Sequence, residues 1–139
     1  MLLGFLDTTL GWTVHIDHNV NPRSLRNFPM QANGSEMLRL ACCLGTEQGV
    51  QIAAPVHDAV LLCAPNDDFP EQVSTMRACM AEASRVILNG FELATDVRVV
   101  CAPNRYMDEK RGRRMWDTVM QLLGGESLQN RVLLQAVSV

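Results

Sequence analysis

The stretch Val50–Pro65, Val-Gln-Ile-Ala-Ala-Pro-Val-His-Asp-Ala-Val-Leu-Leu-Cys-Ala-Pro, constrains the fold more than any other part of the chain. Two apolar runs flank His57-Asp58, the only His, Asp, Glu, Lys or Arg residues between Gln48 and Asp67. Strands this apolar are normally buried on at least one face, so the pattern predicts a β-hairpin with the dipeptide at its junction. A carboxylate buried there costs free energy unless a metal, a proton or a hydrogen-bond donor satisfies it. The plain alternative is a tight turn in which Asp58 bonds its own backbone. Residue type alone does not choose between the two.

The remaining elements fall around this hairpin. Leu2 to Ile16 reads as two short strands. Thr13, His15 and Asp17 alternate against Trp12, Val14 and Ile16, as in a half-exposed strand. His15 and Asp17 share a strand face, but His18 points away and no fourth ligand lies nearby, so a solvated strand end outweighs a metal site. A helical pattern emerges near Ser24, and Pro29 either ends a short helix or kinks it. A longer helix is expected from about Gln31 to Leu44, closed by Gly45. Gly34 inside it costs about 1 kcal/mol relative to Ala, and also lets a backbone or ligand approach closely.

Asp67 or Asp68 caps a further helix with Pro70 in its first turn. This helix buries Val73, Met76, Met80, Ala83 and Ile87 and stops at Asn89-Gly90. Leu93 to Cys101 predicts a strand, Ala102 to Arg114 a polar loop, and Arg113 to Leu123 a last helix. Arg131 to Val139 reads as a short strand or a frayed tail. The order is β-β-α-β-β-α-β-α. It implies an α+β fold, a mainly antiparallel sheet with helices packed on one face.

At 139 residues the chain suits one domain with a single core. Its five cysteines are an odd number in mostly apolar surroundings without a C-x-x-C pair, which favours reduced thiols and a cytoplasmic location over disulfides or zinc. The N-terminus lacks a signal-peptide pattern, and no run is apolar enough to span a membrane. A net charge of −3 argues against strong autonomous nucleic-acid binding. All basic residues but Lys110 are Arg, however, which suits bidentate phosphate contact.

Two blocks of residues together resemble a known family. Arg23-Ser-Leu-Arg-Asn27-Phe-Pro-Met-Gln31-Ala, then a helix, then Ala54-Pro-Val-His57-Asp58-Ala, is similar to the C-terminal palm of family A (Pol I-like) DNA polymerases. There an Arg-x-x-x-Asn-x-x-x-Gln series precedes a long helix, after which comes a strand-turn-strand carrying Val-His-Asp-Glu, motif C. The resemblance covers roughly residues 10–101. It implies that Asp58 is the motif C carboxylate that binds catalytic Mg2+, and that His57 contacts the primer-terminus region. It also implies that Arg23, Asn27 and Gln31 contact the DNA primer-template. The bland reading of those three is a solvated polar helix face.

Departures from the family pattern limit the function it implies. The motif C glutamate is Ala59 here. The motif A aspartate and the nucleotide-gripping helix would precede residue 1, and nothing in residues 1–17 replaces them. Two magnesium ions about 3.5–4 Å apart need carboxylates holding both, so the chain is expected to be inactive alone and completed by a second polypeptide. The alternative is a degenerate DNA-binding or self-associating module, with weak or absent DNA binding and a homo-oligomeric state. A His-Asp phosphohydrolase would need more histidines than His15, His18 and His57.

Overall fold

The computed structural model describes residues 4–101, 104, 106–108, 110–123 and 135–138, the last four as backbone. The fold is α+β, with three helices and two small antiparallel sheets among the described residues. Strands β1 (Phe5–Asp7) and β2 (Thr13–His15) form the first sheet, with Leu6 opposite Val14. The second has four strands in the order β3 (Ile52–Val56), β4 (Ala59–Leu62), β6 (Gln135–Ser138), β5 (Asp96–Arg98), all pairs antiparallel.

Helix α1 runs unbroken over Pro22–Glu47, straight through Pro29. Of the two expectations for Pro29, that it ends a short first helix is corrected. The missing N–H of Pro29 removes one helical bond, but the elements around it hold the helix on both sides. Asn21 caps the start, its Oδ1 accepting from Arg23 N at 2.9 Å. The far half packs on α2 (Phe69–Ile87), where Ala41 lies among Met76, Met80 and Ala83. The expected stop at Gly45 is also displaced. Gly45 is buried inside the last turn, where an added Cβ would meet Met76 Sδ at 3.0 Å and Ile52 Cδ1 at 3.3 Å. The stop comes at Gly49, with φ +78°; its N–H bonds Thr46 O at 3.1 Å, and Val50 N bonds Gly45 O at 2.8 Å. These are the two bonds of a Schellman cap, and they turn the chain directly into β3.

Alternate residues of β4, Val60 and Leu62, are fully buried and meet Ala41 of α1 and Met76, Met80 and Ala83 of α2. Both helices therefore cover one face of the sheet. Pro55, which cannot donate to a ladder, is accommodated because β3 is an edge strand. α2 has the expected apolar spacing, but Val73 is only half-buried, and Phe69, Cys79 and Ser84 join Met76, Met80, Ala83 and Ile87 in the buried set. It begins at Asp68, whose side chain makes no capping bond because its backbone is already helical. It ends at Asn89 and Gly90, both with positive φ, where Gly90 N bonds Arg85 O at 2.7 Å.

The strand expected over Leu93–Cys101 contracts to Asp96–Arg98, because only these residues find a partner, β6. The C-terminal stretch thus contributes a central strand. Helix α3 (Arg113–Leu122) has no buried residue, and Met115, Leu122 and Leu123 are exposed. Among the described residues, no helix is long and apolar enough to cross a membrane.

Candidate functional site

His57 and Asp58 form the two-residue loop of the β3–β4 hairpin, with Val56 paired to Ala59 across it. The connection is tight, and His57 takes a φ of +55°, in the left-handed region that non-glycine residues seldom enter. A two-residue hairpin loop demands such a φ at its first position. Both side chains are exposed. The expectation of a carboxylate forced into a dry junction is therefore corrected. The apolar strands are buried behind the turn, but the turn projects beyond them and leaves Asp58 in contact with water.

The turn forms one wall of an open cleft of about 880 Å³. Gln31, Gly34, Ser35 and Leu38 of α1 form another wall, and Leu93 and Ala94 the third. Gln31, His57 and Asp58 thus line the same open hollow. The unbroken passage of α1 through Pro29 puts Arg23, Asn27 and Gln31, four apart, on one helical ridge. Arg23 and Asn27 do not line the cleft. They lie two turns and one turn earlier on that ridge, both exposed. At Gly34 an added Cβ would meet nothing within 4 Å, so the cleft is open at that point.

Leu93 and Ala94 are wall residues that sequence reasoning places only in a strand. The buried carboxylate of Glu36 is likewise invisible to it. Glu36 is 2% exposed, accepts from Leu10 N at 3.1 Å and from the hydroxyl of Thr8, and so fastens the β1–β2 turn to α1. A glutamate on a helix ordinarily reads as solvated, and its partners are far away in sequence.

The other carboxylates near the N-terminus have structural work. Asp7 Oδ1 accepts from Thr13 Oγ1 at 2.6 Å, and Asp17 Oδ1 from Asn19 N at 2.8 Å. Among the described residues, no three His, Cys, Asp or Glu side chains converge to hold a metal ion. Asp58 by itself does not make a magnesium site. A smaller hollow of about 600 Å³ lies between α2 and residues 92–95, lined by Arg77 and Glu92, and no candidate residue reaches it.

No family model, no curated protein and no solved structure matches this chain.

Proposed function

We propose that this chain supplies the primer-template side of a DNA-directed DNA polymerase active site of the family A kind. Gln31, with Asn27 and Arg23 behind it on the ridge, contacts the duplex backbone and minor groove. His57 lies beside the primer terminus. Asp58 contributes one ligand to a magnesium ion whose other carboxylate comes from another polypeptide segment. The observation that carries this reading is the convergence of Gln31, His57 and Asp58 on one open cleft, with His57 held in a strained turn. Asp58 alone cannot hold two metal ions, so no step of nucleotidyl transfer is assigned to these residues by themselves.

The test is photocrosslinking with a recessed-end duplex carrying a photoreactive nucleotide at its primer terminus. Crosslinks at residues 31–35 and 57–58, lost with Asn27→Ala/Gln31→Ala, are the expected result. Crosslinks confined to other surfaces refute the reading.

A second reading, a self-associating module without catalysis, is favoured by α3. Its residues Met115, Leu122 and Leu123 are 68%, 82% and 57% exposed along one short helix. Sedimentation distinguishes it: a dimer abolished by Leu122→Glu supports self-association through this helix, and a monomer at all concentrations counts against it.

A further inference from the structure

We infer that the indole of Trp12 is a stacking platform for an unpaired nucleobase, on a strand that runs along α1 into the cleft. The inference rests on nucleic acid being the cleft's ligand, but the residue it assigns, Trp12, lies outside the cleft residues named above. Trp12 is 53% exposed. Its ring meets Phe28 of α1 edge to face, with centroids 5.5 Å apart and planes at 75°. A contact of that geometry uses one face of the indole at most.

The backbone beneath the ring is fixed from inside the protein. Trp12 N donates to Thr8 Oγ1 at 2.8 Å, and Thr8 N donates to Trp12 O at 2.9 Å. The Thr8 hydroxyl in turn donates to the buried carboxylate of Glu36. Taking a carboxylate out of water is costly unless its hydrogen bonds are supplied. Glu36 supplies the anchor, and the turn that carries the Trp12 ring is held to α1 through it.

The platform adjoins the cleft. Phe28 and Gln31 are three residues apart on α1 and are therefore surface neighbours, and Gln31 lines the cleft. Arg23 and Arg26, exposed on the same end of α1, offer positive charge to phosphates. An aromatic face beside cations is how single strands are bound without sequence preference.

The experiment uses the Trp116→Phe protein, in which Trp12 is the sole tryptophan, without divalent ions and at low salt. It is titrated with a short oligothymidylate, an oligouridylate and an abasic oligonucleotide of equal length. Quenching of Trp12 fluorescence by either base-bearing strand, and not by the abasic one, is expected. In the otherwise native chain, Trp12→Leu should abolish the quench and weaken binding roughly 5- to 100-fold, with Trp12→Phe retaining most of it. Binding seen by anisotropy without quenching, equal quenching by the abasic strand, or no binding at all overturns the inference. Because no metal is present and the strand is single, such a failure is distinct from failure of the duplex crosslinking, which tests the cleft residues independently.

Discussion

Thr8 and Glu36 are joined by a hydrogen bond between the tip of the N-terminal hairpin and the buried middle of α1. The carboxylate also takes the amide of Leu10, so one side chain anchors the whole turn. Glu36→Ala should cost about 1–3 kcal/mol, since it removes the acceptor of the part-buried Leu10 amide and Thr8 hydroxyl bonds and leaves a gap under the turn. Glu36→Gln, which keeps the shape, should cost less. Urea unfolding of the three proteins measures this, and equal stability of Glu36→Ala and the native chain would falsify the anchor.

Two glycines on the same helix should respond oppositely to one substitution. At Gly34 a methyl group meets open space, so Gly34→Ala should stabilise the fold by about 1 kcal/mol through helix propensity. At Gly45 it meets Met76 and Ile52 at 3.0 and 3.3 Å, so overpacking of about 1–3 kcal/mol outweighs that gain. Thermal melts of both variants decide it. If Gly34→Ala also weakens duplex binding, the ligand comes as close to α1 as the open wall permits.

His57 holds a backbone conformation that favours glycine. A glycine at φ +55° is unstrained, so His57→Gly should leave stability unchanged or raise it by up to about 1 kcal/mol. The same change should weaken primer-template binding. Loss of both together would make His57 a packing residue.

Incubated alone with primer-template, deoxynucleotides and magnesium, the chain should extend nothing, because among the described residues no three metal-binding side chains converge and one carboxylate does not hold two magnesium ions. Robust extension that Asp58→Asn abolishes would show that the residues present suffice.

Asp108 governs the turn ahead of α3. Its carboxylate accepts from the amides of Lys110 and Arg111 and from Arg111 Nε at 2.9 Å, which holds its pKa below the ordinary carboxylate value. A depressed folded-state pKa means that the stabilisation is present above the unfolded value and is lost as pH falls through the folded one. The amide resonances of Lys110 and Arg111 should therefore shift only on acidification below the usual carboxylate range. In Asp108→Asn they should not titrate there.

Much of the fold is readable in the chain because its signals are local. The His57-Asp58 junction, the apolar spacing of α2 and the Asn89-Gly90 stop each depend on neighbours in sequence. The failures are non-local. Pro29 and Gly45 break isolated helices, yet here the first is bracketed by a capped start and a packed second half. The second is needed small because Met76 presses on it. Glu36 looks solvated until Thr8 and Leu10 are folded over it. Asp58 reads as buried because its flanks are apolar, but a two-residue turn extends past the strands that carry it. Of the candidate residues, Gln31, His57 and Asp58 share one cleft, whereas Arg23 and Asn27 share only the ridge leading to it.

The position of β6 between β4 and β5 sets an order of assembly. The β3–β4 hairpin can close from adjacent residues, but β5 touches the four-stranded sheet only through β6, which comes after α3 in the chain. Until that strand threads in, β4 presents an open edge beside the cleft wall, and Val97 has no register to hold it against the core. The sheet is thus finished at its middle rather than its margin. The pairing of β4 with β6, which joins residues far apart in sequence, covers an edge of β4 otherwise open to pairing with another chain.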